Sequence, residues 1–140
     1  MASGIYTSGK LKLMNGTIDW DGTGSTGIRM MLVSTGYTFA ATHNYVSQTT
    51  GTEISVAGYS RQSSSSKTVA ASTARIKYDM SDVTYSSLTA GQTVGAGIIY
   101  KDAATDTGRQ MLFYMDVTNT PTNGGNITVQ FSSLGIYYVD

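Results

Sequence analysis

The 140-residue sequence contains no cysteine, one proline, one tryptophan and one histidine. Without cysteine there is no disulfide framework, no thiolate metal site and no thiol nucleophile. Charge is scarce as well: 13% of residues are charged, nine basic against nine acidic, and the formal net charge is zero. That is about half the charged share of an ordinary soluble domain, and neither sign forms a run. Binding through nucleic-acid phosphates needs a basic patch, so nucleic acid is not an expected partner. No stretch approaches the ~20 apolar residues of a membrane span, and no membrane partner is expected. The opening "MASGIYTSGKLKLMNG" has no apolar core of the kind a secretory signal carries. The glycosylation-like "NGT" at Asn15 and "NIT" at Asn126 therefore carry no weight.

What the chain does contain is 16 glycines and ten tyrosines, with abundant threonine and serine, and this composition favours sheet. Period-two alternation marks strands with one buried face. In "ARIKYDM", Ala74, Ile76, Tyr78 and Met80 point one way and Arg75, Lys77 and Asp79 the other. "NITVQFS" repeats the pattern with Ile127, Val129 and Phe131 inward. In "MLFYMDV", Met111, Phe113, Met115 and Val117 share a face, and Leu112 and Tyr114 make the other face half apolar. "GIRMMLVS" is apolar on both faces apart from Arg29, so it lies centrally or meets another surface. "TVGAGIIYKD" sets Val94, Ala96, Ile98 and Tyr100 together. Gly95 and Gly97 take the opposite face, where a backbone or bulky side chain can approach closely. "LGIYYVD" closes the chain as a strand, and shorter strands are predicted around Val56, Thr68 to Ala70 and Val83 to Tyr85. Helical turns are predicted within Ile5 to Met14, where a strand is the alternative, and over "AATHNYVSQ". Residues 1–140 read as one domain: an antiparallel β-sandwich or jelly-roll-like barrel with one or two short helical turns. Residues 1–10 read as an extended arm that orders on contact.

Motifs that suggest chemistry have plainer readings. "GTGSTG" (Gly22 to Gly27) matches the dinucleotide-binding glycine spacing, but it runs directly into a strand, whereas that fingerprint opens a helix. It reads as a turn. Asp19 and Asp21 lack the further ligands of a calcium loop and read as side chains capping their own turn. His43 has no G-x-S-x-G elbow to serve as a catalytic base. Glu53 is the only glutamate, and Asp79 with Asp116 is the remaining carboxylate pair on which a glycosidase reading can rest. No enzyme activity, metal or cofactor is expected. The tyrosines exceed what one small core holds, so an interface or ordinary sheet surface is expected for several of them.

The order of motifs resembles a group of small virion structural proteins of tailed bacteriophages. The resemblance rests on "MNGTIDWD", "MLVSTGYTF", "HNYVS", "EISVAGY", "IIYKD" and "GNITVQFSSLGI", and spans nearly the whole chain. It implies a capsid decoration or cement protein, made in the host cytoplasm and located on the virion surface. Its implied partners are the major capsid protein and further copies of itself, commonly a trimer. The alternative is a tail, baseplate or fibre component that binds a receptor or carbohydrate. From the residues, the expected interface is Ile28, Met31 and Val33 on the doubly apolar strand, with Tyr137, Tyr138 and Val139 on the last strand.

Overall fold

The computed structural model describes residues 3–21, 27–72 and 75–139, the side chains at 72, 138 and 139 excepted. Among the described residues the fold is mostly antiparallel β with one helix and one 3-10 turn, in a β-sandwich-like arrangement. The described residues hold ten strands in chain order. They are β1 (Gly4–Ile5), β2 (Ile28–Ser34), β3 (Gln62–Ser63), β4 (Thr68–Ser72), β5 (Arg75–Asp79), β6 (Val83–Tyr85), β7 (Thr93–Lys101), β8 (Gln110–Pro121), β9 (Ile127–Val129) and β10 (Tyr137–Val139). Helix α1 (Thr7–Met14) follows β1, and the 3-10 turn spans Val46–Thr49. The strands form a five-stranded sheet in the order β1-β8-β7-β2-β3, a three-stranded sheet β10-β5-β4 and a pair β6-β9.

The five-stranded sheet is covered on both faces. One face, with Met30, Leu32, Ile99 and Phe113, packs against Trp20, Tyr78, Tyr85 and Val129 from the smaller sheets and loops. The other, with Met31, Val33, Ile98 and Tyr100, packs beneath Tyr6, Tyr37 and Val46. A strand covered on both sides needs no alternation, which explains "IRMMLV". Of the two expectations for that strand, the central position is the one observed.

Two irregularities reassign side chains between the cores. Opposite β7, register shifts between Ile99 and Tyr100 as β8 passes from Phe113 to Met111. Leu112 and Phe113 therefore share one core while Met111 faces the other, which corrects the predicted Met111–Phe113 face. A second shift at Gly95 puts Val94 and Ala96 in different cores, where common orientation was expected. A Cβ on Gly95 would lie 2.9 Å from the Thr35 Cα, and Gly97 admits the Met30 methyl against its backbone. Both close approaches agree with the sequence reading. Val56 lies in a bend and not in a strand.

Residues 3–10 are not an extended arm. Gly4 and Ile5 pair with Tyr114 and Phe113, Tyr6 is fully buried, and its N–H donates to the Leu112 carbonyl at 3.0 Å. The helix then runs along the edge of β8, with Tyr6 at its start in one core and Leu13 near its end in the other. Short β1 and α1 thus cover an edge that would otherwise invite strand pairing. Most tyrosines are likewise interior: Tyr6, Tyr37, Tyr78, Tyr85, Tyr100 and Tyr114 are each at most 8% exposed. One core would not hold them; two cores do.

Candidate functional site

Polar chemistry concentrates in three places. The densest is an ion-pair network between the 53–61 segment and the β7–β8 connection. Arg61 donates to both Glu53 oxygens at 2.7 Å through Nε and Nη2, and to Asp106 through Nη1 at 2.7 Å and Nη2 at 3.1 Å. Its guanidinium carbon sits 5.6 Å from the Tyr100 ring centre. Arg109 bridges Asp102 and Asp106, each at 2.6 Å, and Tyr59 donates to Glu53 at 2.9 Å. Arg29 also pairs with Asp102 at 3.4 Å, so three cations and three anions cancel, and the bidentate geometry is what makes such pairs strong. The network ties loops together and spends its charged groups on one another.

The Arg61 hydrogen bond, reinforced by Arg109, holds the Asp106 carboxyl at about 2, below its ordinary 3.8. A depressed carboxylate stabilises the fold fully above its unfolded value and loses that contribution as pH falls through the folded one. Arg61→Met is therefore expected to lower stability by about 1–2 kcal/mol at neutral pH, a reduced figure because the partner carboxylates are partly exposed. The gap between wild type and variant should narrow as pH falls from about 4 to about 2, read from urea midpoints across pH. A gap that stays constant over that range would show that these charges do not carry it.

The second place is the outer end of the Tyr6 core. The Tyr6 and Tyr37 hydroxyls are 3.0 Å apart, and the Tyr37 hydroxyl is 2.9 Å from Nδ1 of His43. Burial raises the pKa of both phenols, so they remain neutral hydrogen-bonding groups. The one histidine thus ends an aromatic cluster containing Phe39 and Tyr114. Its Nδ1 hydrogen bond joins a phenol; among the described residues no serine or carboxylate is hydrogen-bonded to its ring.

The third is an open groove of ≈450 Å³ between the loop after α1 and the three-stranded sheet, lined by Leu13, Ile18, Asp19, Trp20, Asp21, Val69 and Tyr78 among others. Trp20, one of the lining residues, donates Nε1–H to the Asp79 carbonyl at 3.0 Å. Asp21 Oδ2 accepts the Val69 N–H at 2.9 Å; the turn that Asp21 is expected to cap involves residues 22–26, which lie outside the described residues. Asp79 is ion-paired with Lys77 at 3.1 Å on β5, whereas Asp116 lies on β8 in a different sheet. Gly27 takes a positive φ of 88° directly before β2, as a turn leading into a strand requires. The remainder of the glycine motif, residues 22–26, lies outside the described residues.

The expected interface residues separate. Ile28, Met31 and Val33 are at most 1% exposed, so the folded chain offers none of them to a partner: its own two cores absorb them. Tyr137 packs its ring 5.8 Å from that of Phe113. Tyr138 and Val139 pair through the backbone with Lys77 and Ile76, and their side chains lie outside the described ones. Apolar surface emerges elsewhere. Leu11 and Met14 on α1, Leu134 before β10, Val69 on β4 and Ile76 on β5 are 38–67% exposed. Sequence alternation had turned Ile76 inward with Tyr78. Both do share a face, but the sheet extends past the core, and Tyr78 is covered while Ile76 overhangs. Nothing in the alternation marks where the opposing layer stops.

No family model, no curated protein and no solved structure matches the chain.

Proposed function

We propose that this chain is a particle component that works by adhesion: a decoration or cement protein of a phage capsid, binding the major capsid protein and further copies of itself. The observation that carries the reading is the distribution of apolar side chains. Large ones stand in water on α1, on the β4–β5 hairpin and before β10, on a molecule of zero formal net charge. Single exposed apolar residues are ordinary, but several on one weakly charged domain suit burial against neighbours. The polar groups support the same reading, because Arg61, Arg109 and their carboxylates are bound to one another. The resemblance to virion structural proteins supplies the setting. Incubating the purified protein with shells that lack it, then sedimenting and heating them, tests the proposal. Co-sedimentation and a raised disruption temperature are expected; a protein left in the supernatant would reject the capsid role.

The groove that Trp20 helps to line favours a second reading, a carbohydrate- or receptor-binding tail module. Carboxylates of Asp19 and Asp21 beside aromatic rings can accept sugar hydroxyls, and ≈450 Å³ lies within the ligand range. Trp20 is the chain's one tryptophan, so a saturable change in its fluorescence with added oligosaccharides would favour this reading.

A further inference from the structure

We infer that the outer edge of β4 is a strand-docking site whose occupant is the same strand of a second copy, paired antiparallel about a two-fold axis at Ala70. β4 is the terminal strand of the sheet β10-β5-β4. Its register with β5 sets Ser72 opposite Arg75, Ala70 opposite Lys77 and Thr68 opposite Asp79. In a hairpin closed by a two-residue connection, the closing pair is hydrogen-bonded and the pairs then alternate. Thr68, Ala70 and Ser72 therefore bond to β5, while Val69 and Ala71 turn their N–H and C=O groups outward. The bond from Val69 N–H to the Asp21 carboxylate agrees with that assignment. Among the described residues, no hydrogen bond from outside the sheet reaches the Val69 carbonyl or either backbone group of Ala71.

Natural sheets protect such edges with charge, proline or a bulge. β4 has none of these: its sequence is Thr-Val-Ala-Ala-Ser, and its five pairs with β5 run without a register shift. One device is present, the Asp21 carboxylate over Val69, so docking requires that carboxylate to move aside.

Three features select a second copy over a different partner strand. Outward groups at 69 and 71 match themselves when Val69 faces Ala71 of the other copy, which closes both hydrogen-bonded pairs with Ala70 on the axis. Side chains then align: Val69 (38% exposed), Ala71 and Ile76 (45% exposed) continue as one apolar face across a six-stranded sheet. Charge favours this direction, because in-register parallel pairing sets Lys67, at the entry to β4, directly beside its own copy. The antiparallel two-fold instead places the two Lys67 side chains at opposite ends of the joined edge. A two-fold at this edge closes as a dimer, leaving any three-fold contact to another surface. The inference does not rest on the capsid reading: a chain that ignores shells still pairs through β4.

The cysteine-free sequence gives a direct test of register. At a non-hydrogen-bonded antiparallel pair the Cα atoms lie ~4.5 Å apart, within disulfide reach. Ala70→Cys is expected to form a covalent dimer under mild oxidation. Thr68→Cys, on the same face but opposite Ser72, is expected to remain monomeric, since its symmetry mate lies well beyond ~7 Å. Ala71→Pro removes only an outward N–H, so the hairpin ladder stays intact, and it should weaken association roughly tenfold in sedimentation velocity. Asp21→Ala should strengthen association severalfold. Equal cross-linking of Ala70→Cys and Thr68→Cys would overturn the inference. So would a monomer at every concentration that Asp21→Ala leaves unchanged. Shell co-sedimentation reads the capsid role separately, so the failure of one is not mistaken for failure of the other.

Discussion

Trp20→Ala is expected to cost about 3–5 kcal/mol, the range for deleting a large buried aromatic. That is a large part of the ~5–15 kcal/mol available to a domain. The indole is 2% exposed and meets the rings of Tyr78 at 6.0 Å and Phe113 at 5.4 Å, both edge to face. It therefore joins the three-stranded sheet, through Tyr78, to the five-stranded sheet, through Phe113. Its Nε1–H also satisfies the Asp79 carbonyl at the end of β5. Alanine loses the packing, opens a cavity at the junction and leaves that carbonyl without its partner. Trp20→Phe keeps most of the ring and loses the donor, so it should cost roughly 1–2 kcal/mol. Urea unfolding followed by circular dichroism measures both, because the variants lack the fluorophore. Equal losses for the two variants would mean that the hydrogen bond, and not the packing, carries the joint.

Gly9→Val is the second large expected effect, about 2–3 kcal/mol of destabilisation. Helix propensity alone predicts a small gain, because glycine is among the poorest residues in a helix interior. Space decides otherwise. A Cβ at position 9 would meet the Met111 carbonyl oxygen and lie 2.9 Å from the Leu112 Cα. Both are backbone atoms of the buried part of β8 and cannot turn away. The helix would have to lift from the sheet edge, drawing Tyr6 and Leu13 out of their two cores. At Gly97 the intruding Cβ meets the end of the Met30 side chain, which can change rotamer, so Gly97→Ala should be milder. Thermal melts of the two variants give the comparison, and a Gly9→Val protein as stable as wild type would show that the helix does not sit tightly on β8.

Period-two patterns were legible because side-chain direction along a strand is a local property. Tyr78 and Met80 inward, Val129 inward, the final strand at Tyr137 and the helix at Thr7–Met14 all follow from neighbours in sequence, whereas of the helical turn predicted over residues 40–48 only the end, from Val46, is helical. Gly95 and Gly97 were legible for a similar reason: a missing Cβ implies that something comes close. The candidate site was less so. Ile28, Met31 and Val33 read as an interface because a doubly apolar strand states only that both faces are covered. Whether the cover is the same chain or another depends on where Tyr37, Val46 and Tyr6 fold back, a matter of long-range contacts.

By itself, then, the sequence determined a cysteine-free, weakly charged, mostly antiparallel β chain, together with the residues that share a face within most strands. Tertiary structure alone decided that there are two cores, that the bulges at Leu112 and Gly95 send Met111 and Val94 to opposite cores from those expected, and that Ile76 and Val69 overhang. The physical reason is range. Alternation is set by the backbone two residues at a time, whereas burial is set by which distant layer lies opposite and where that layer ends.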